Sequence, residues 1–342
     1  MGARGESVRC QGGMMKRNSL KILRGATLAT CVLCCALAGS DIAHAQSYPQ
    51  KPIRLVVPLA PGGGNDTLAR YVGKYLTESL GQAVVIENRT GGGGLAGGEY
   101  AARSAPDGYT LLIAGSGLIV VTLTHKQLNF QRDFTPIANI GEYAALLTSH
   151  PSLPVKTVRE LIAFAKARPG QINFASAGNG SAGHLVLEMF RSAAKIDFVH
   201  IPYKGAGPAA TEVMAGQVSL VFGNPLGSMP HVKAGRLRAI AVSGSRRLAA
   251  MPDIPTVAES GLPGFDATFF LGLLGPLALP RDIVTRLNSE TVKIVQRRDV
   301  QDALTLQGME AMSGTPEAFA TRIKADMEKT AKVVRESGMR LN

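Results

Sequence analysis

Tryptophan is missing from this 342-residue sequence, and its four cysteines (Cys10, Cys31, Cys34 and Cys35) all fall near the N-terminus. The rest of the chain therefore offers no thiol nucleophile, no disulfide and no cysteine-ligated metal. A chain of this length buries enough surface to fold without cross-links, so packing alone must hold it. Aromatic residues make up only 5% of the sequence and Lys and Arg are scattered, which argues against nucleic acid as a partner. After the N-terminal segment no apolar stretch approaches the ~20 residues that cross a bilayer. Beyond residue 45 the histidines are His125, His150, His184, His200 and His231, with no two at metal-ligand spacing. No metal site and no cofactor are expected.

Several catalytic signatures are missing too. Around Ser181 and Ser116 the residues two before are Asn179 and Ala114, so there is no Gly-x-Ser-x-Gly elbow. Neither glycine cluster runs into Gly-Lys-Ser/Thr. Thr67 and Leu68 stand where the third glycine of a dinucleotide fingerprint would fall.

What is present begins with an export pattern. Arg4, Arg9, Lys16, Arg17, Lys21 and Arg24 face a single acid, Glu6, and precede an uncharged, mostly apolar run from Ala26 to Leu37. Ala43-His44-Ala45 then supplies a small-x-small cleavage site. This order predicts a signal peptide over residues 1–45, cleavage near Ala45 and a periplasmic protein starting at Gln46. The long basic part suggests a true start at Met14 or Met15. A competing reading takes Leu28-Ala29-Thr30-Cys31 as a lipoprotein box, which would leave Val32 to Leu37 as an apolar tail. The segment carries six of the 37 basic residues and two of the 25 acids. The mature chain keeps a net charge near +8, which favours anionic partners. Its ~295 residues predict two domains or lobes.

The mature region alternates β-branched runs with amphipathic stretches, the pattern of an α/β protein with parallel strands. Residues 53–59 read as a strand buried on both faces. Residues 66–80 read as a helix, with Leu68, Val72, Tyr75, Leu76 and Leu80 at helical spacing and Gly81 as its stop. Residues 83–87 and 110–114 read as strands, with a short helix over 97–104 between them. The same grammar returns with helices over 158–168, 182–194 and 209–215, and strands over 172–175, 198–201, 218–222 and 237–242. An irregular Pro- and Gly-rich stretch covers 243–264, and helices over 282–296 and 316–335 close the chain. Hinges are expected at 144–148 and 269–275. Lobe 1 would then comprise 46–147 plus 271–342, and lobe 2 would comprise 148–270.

Glycine loops occupy the strand-to-helix junctions. Ala60-Pro61-Gly62-Gly63-Gly64-Asn65-Asp66 joins the first strand to the first helix. Glycines admit a ligand close to the backbone, and free amides at a helix start favour anionic oxygens. Asp66 is the exception, because a carboxylate repels an anion; it suits capping or contact with a ligand ammonium. A second loop runs from Asn88 to Gly97 through Gly91-Gly92-Gly93-Gly94-Leu95. A third runs from Ala175 to His184, where Ser181 can cap the following helix and His184 would lie in its first turn. His184 and Asp66 are the only visible acid–base pair. An exported enzyme acting on a small anionic substrate would have to use them, and a periplasmic sensor partner is the other competing function.

The stretch Val57-Pro58-Leu59-Ala60-Pro61-Gly62-Gly63-Gly64-Asn65-Asp66-Thr67-Leu68-Ala69-Arg70 resembles the opening motif of tripartite tricarboxylate transporter substrate-binding proteins, the Bug family. Further matches follow in order over the whole mature chain. They are Glu87-Asn88-Arg89, Pro106-Asp107-Gly108-Tyr109-Thr110-Leu111-Leu112, Pro202-Tyr203-Lys204-Gly205, Pro255-Thr256-Val257-Ala258-Glu259 and Gly261-Leu262-Pro263-Gly264-Phe265. The resemblance implies a type II periplasmic binding fold of two α/β lobes with the ligand between them. It implies a monomer that captures a small carboxylate for a membrane permease and performs no catalysis. Carried over residue by residue, the implied ligand shell has four parts. The first two loops supply Pro61, Gly62, Gly63, Gly64, Asn65 and Asp66, then Gly92, Gly93, Gly94 and Leu95. Ser116 stands at a strand end. Ser176, Ala177, Asn179, Ser181 and His184 form the third junction, with Tyr203, Lys204 and Asn224 completing the shell.

Departures from the family pattern bear on the ligand. The second loop reads Thr90-Gly91-Gly92-Gly93-Gly94 where Pro-Gly-Ala-Gly-Gly is frequent, and Leu95 stands where Asn is common. Gly117-Leu118-Ile119-Val120 replaces a His or Asn after Ser116, Ser219 and Gly223 occupy frequent acid positions, and Phe269-Phe270 replaces a frequent tryptophan. A less polar cleft is therefore expected, with a ligand carrying an apolar or aromatic portion.

Overall fold

The computed structural model describes residue 2 and residues 48–125 and 127–337. The expected signal peptide lies outside them, and everything below concerns the unit formed by Pro49–Asn342. The chain first lays down β1 (Ile53–Val57), α1 (Gly64–Leu80), β2 (Val84–Asn88), α2 (Leu95–Ala102), β3 (Thr110–Gly115), α3 (Ser116–Thr124), α4 (Phe130–Asp133) and β4 (Phe134–Ala144). It continues through β5 (Leu146–Ser149), α5 (Val158–Ala167), β6 (Asn173–Ser176), α6 (Ala182–Ala194), β7 (Val199–Pro202), α7 (Ala206–Met214), β8 (Leu220–Gly223), α8 (Pro225–Lys233) and β9 (Arg238–Val242). It closes with β10 (Thr268–Pro276), α9 (Arg281–Gln296), α10 (Arg298–Leu306), β11 (Met309–Ala311) and α11 (Pro316–Ser337).

Two sheets result, with orders β11-β4-β10-β3-β1-β2 and β7-β6-β8-β5-β9. Each is the floor of one α/β lobe. The alternation of strands and helices predicted parallel pairing, and β1 does run parallel to β2 and β3, as β6 does to β7 and β8. Both sheets are nevertheless mixed. β10 comes back from the second lobe and enters antiparallel between β3 and β4, while β5 enters antiparallel between β8 and β9. A strand that arrives from the other lobe needs no helical crossover, so nothing forces it into the parallel direction.

Local signals explain the helix ends. Gly81 takes a left-handed conformation (φ 68°) and its N–H donates to Thr77 O, which stops α1. Ser181 caps α6 by accepting the His184 N–H at 3.2 Å. The first lobe's core joins Val56, Leu112, Ile119, Phe130, Phe270 and Phe319. In the second, Phe174 lies beside Phe190, Phe198 and Phe222, with ring centroids 4.9–6.4 Å apart.

The chain changes sheets between β4 and β5, at Ala145, and again just before β10. Ser243 ties these crossings together. Its N–H donates to Ala145 O, its carbonyl accepts the Ala267 N–H, and both bonds are 2.8 Å. Its hydroxyl accepts the Ala145 N–H at 2.8 Å and donates to Ala267 O at 2.6 Å. Ser243 is fully buried. Ser243→Ala would leave one buried N–H short of a partner and weaken one carbonyl's, so a stability loss of about 1–3 kcal/mol is expected. A urea midpoint equal to the wild-type value would refute that account of the hinge.

Candidate functional site

The carboxyl ends of β1, β3, β6 and β8, with the helix starts that follow them, face one cavity between the two sheets. Such strand ends are where open α/β sheets place ligands. From the first lobe come Pro58 to Ala60, Gly63 to Asn65, Gly93, Ala114, Gly115, Gly117, Leu118, Tyr143 and Leu271. From the second come Ala177, Ser181 to Gly183, Ala206, Phe222, Gly223 and Asn224. The enclosed space is about 50 Å³. No Lys, Arg, His, Asp or Glu side chain is among these lining residues.

The lobes meet so closely because the contact residues are small. A Cβ on Gly93 would lie 1.9 Å from Asn179 O, and one on Gly64 would lie 2.3 Å from Asn224 Cγ. The Ala60 N–H donates across the cleft to Lys204 O at 3.1 Å. On the outer side an exposed ion pair, Arg246 with Glu310 at 3.1 Å, also links the lobes. Such a pair contributes under ~1 kcal/mol, so close backbone packing dominates the closed arrangement.

Polar groups that face the cavity are mostly backbone. α1 and α3 begin at Gly63 and Gly115 with no side-chain cap, so their first amides are presented to whatever fills the space. Second-lobe helices differ: α6 is capped by Ser181, and α8 by Asn224, whose Oδ1 accepts the Leu226 N–H at 2.9 Å. That capping bond fixes the Asn224 amide and leaves Nδ2 buried without a hydrogen-bond partner. Tyr143 stands beside this amide, and burial pushes its phenol above the ordinary value.

Of the residues singled out in sequence, Gly63, Gly64, Asn65, Gly93, Ala177, Ser181 and Asn224 line the cavity. Pro61, Gly62, Gly92, Gly94, Leu95, Tyr203 and Lys204 stand around it without lining it. Asp66 is turned inward: its Oδ2 accepts from the Gly62 N–H at 3.1 Å and Arg70 Nε at 3.0 Å, and its Oδ1 from Asn88 Nδ2 at 3.0 Å. Burial alone would raise its carboxyl, but these hydrogen bonds and the Arg70 charge bring it below the usual carboxylate range. It holds the first loop's shape. Ser116 plays a similar part, accepting the Phe270 N–H at 3.1 Å.

His184 also turns away from the cavity. It is 4% exposed, and its ring stacks on His200 with centroids 4.0 Å apart. The Gly180 N–H donates to His184 Nδ1 at 3.2 Å, while Ser176 Oγ lies 2.6 Å from His200 Nε2 and accepts the Gly178 N–H at 3.1 Å. The stacked rings thus hold the third glycine loop, whose Asn179 carbonyl meets Gly93. No sequence signal marks the apolar wall of Leu118, Tyr143, Phe222 and Leu271, since these positions share no local motif.

This geometry has close counterparts. Residues 68–339 match the family described as the tripartite tricarboxylate transporter family receptor. BugT of Bordetella pertussis is 37% identical over 306 residues, spanning 87% of this chain and 92% of BugT. The structure of R. palustris Rpa4515 with adipate superposes with a TM-score of 0.83 at 32% identity, covering 85% of this chain and 99% of that one. MatC from Rhodopseudomonas palustris with bound malate gives a TM-score of 0.80 at 31% identity, covering 84% and 100%. With two α/β lobes, a cleft lined by helix-start amides and this extent of similarity, the chain belongs to the tripartite tricarboxylate transporter family of receptors, which are binding proteins and not enzymes.

Proposed function

We propose that this protein is a periplasmic receptor that captures a small carboxylate with an apolar portion between its lobes and delivers it to a tripartite tricarboxylate-type membrane permease. The observation that carries the reading is the cavity itself: uncapped helix starts on one side, an apolar wall on the other and no charged side chain in its lining. Helix-start amides can hold carboxylate oxygens without an arginine clamp. Carboxylate ligands of the two structural relatives support the class. The basic, apolar and small-residue order of the N-terminus supports export, and a cleft that one chain closes by itself suits a monomer.

Size and polarity narrow the ligand. A space of about 50 Å³ corresponds to roughly four waters at ~10–15 Å³ each, hence to ~120 Å³ of liquid. That suits a compact acid and is below the usual drug-sized pocket. Leu118, Phe222 and Leu271 favour an alkyl or aryl portion over further hydroxyls. Lobe 1 and lobe 2, as 46–147 plus 271–342 and 148–270, would rotate about the Ser243-linked crossings, with the ligand favouring the closed form. Native mass spectrometry after gentle purification should reveal a small bound acid. Calorimetry should then give tighter binding of benzoate or short alkyl carboxylates than of citrate. Tight citrate binding with none of aromatic or alkyl carboxylates would refute the apolar reading.

A further inference from the structure

We infer that Asn224 is the second-lobe donor that clamps a ligand carboxylate seated on the N-terminus of α1, and so selects an acceptor-only group at that pole. The inference rests on the receptor reading above and assigns one residue its specificity. Asn224 is 9% exposed, lines the cavity and has its Nδ2 unpartnered, a costly arrangement for a buried amide unless something accepts from it. The amide cannot flip to relieve this, because Oδ1 is held by the Leu226 N–H. Its Cγ and Nδ2 would stand 2.3 and 2.5 Å from a Cβ on Gly64, the first residue of α1, so the orphan donor and the uncapped amides of Gly64 and Asn65 converge from opposite lobes.

All of these groups donate. A carboxylate oxygen satisfies both lobes at once, whereas an ammonium or amide nitrogen at the same point would set donor against donor. The lone pairs of one carboxylate can accept several N–H groups, and each such charge-assisted bond is stronger than a neutral one. Asn224 therefore contributes only when the lobes are shut, which makes it a contact for the closed, loaded state.

The discriminating substitution is Asn224→Asp. Aspartate caps a helix as well as asparagine does, so the apo melting temperature should not fall. It replaces the donor with a second acceptor, so ligand binding at pH 7 should weaken at least 100-fold. Asn224→Ser keeps a capping oxygen, cannot reach as Nδ2 does, and should lose about 10- to 100-fold, the range for one hydrogen bond to a charged group. Thermal shift and calorimetry with succinate, adipate and benzoate read both variants beside wild type. If a probe stabilises wild type and both variants equally, the assignment of Asn224 is overturned while the receptor reading stands. If none of the three stabilises wild type, the receptor reading for this ligand class fails and the inference with it.

Discussion

Gly93→Ala is expected to yield a folded protein that has lost its ligand response, with affinity at least ~100-fold lower, the result of closed-state occupancy falling to ~1%. The cause is local and steric. Gly93 has φ +65° and its added Cβ would lie 1.9 Å from Asn179 O, a backbone atom of the opposite lobe. Asn179 cannot retreat alone, since its neighbours Gly178 and Gly180 are bound to Ser176 and His184. The lobes must part instead. An alanine at positive φ also costs about 1–2 kcal/mol wherever the lobes stand, so some fall in melting temperature is expected as well. Gly64→Ala separates the two effects. Its Cβ would meet Asn224 Cγ at 2.3 Å, yet Gly64 opens a regular helix, where alanine is favoured over glycine by roughly 0.5–1 kcal/mol in the interior and by less at the end. This variant should melt no lower than wild type and still fail to close. Small-angle scattering with and without a bound acid should show wild type contracting and both variants staying extended. A Gly93→Ala protein that contracts and binds as wild type does would exclude closure through this contact.

Part of this closing device is legible in the amino-acid sequence. The glycine loops announce helix starts built for anions, and α6 over Ala182–Ala194 follows from Ser181 before an apolar period and a left-handed Lys195 after it. α3 is not legible. Its Leu118-Ile119-Val120-Val121 run has strand propensity, and it becomes a helix because it is buried between α11 and α6, so tertiary packing overrides local preference. α8 is hidden by Pro225 and Pro230, although Asn224 before a proline at the first helical position is a recognised start signal. The inward turn of His184 cannot be read from spacing either, because His200 reaches it from β7, across the sheet edge.

The stacked histidines should make this fold unusually sensitive to mild acid. Burial, followed by the charges of His200 and Arg191, pushes His184 down to about 3, and burial pushes His200 down to about 4, from an ordinary 6.5. The folded protein thus keeps both rings neutral, as the Gly180 N–H bond to His184 Nδ1 requires. Above pH 6.5 the folded and unfolded chains are both unprotonated there, and stability is complete. Below 6.5 only the unfolded chain takes up protons, so stability falls with pH by roughly 1.4 kcal/mol per unit for each ring until the folded values are reached. Buried Asp326 opposes this over the lower part of the range, because burial raises its carboxyl and the folded state then binds the proton more readily. A net loss of several kcal/mol between pH 6.5 and 4.5 is therefore expected, a large part of a typical ~5–15 kcal/mol stability. Urea unfolding at those two pH values measures it. Glutamine at both positions offers an amide oxygen to Gly180 and Ser176 but cannot titrate, so the double variant His184→Gln, His200→Gln should lose far less stability over the same interval. Equal pH dependence in wild type and variant would mean that neither ring is the acid-sensitive group. The consequence extends to the cleft: protonating His184 releases Gly180, Gly180 adjoins Asn179, and Asn179 is the carbonyl against which Gly93 closes.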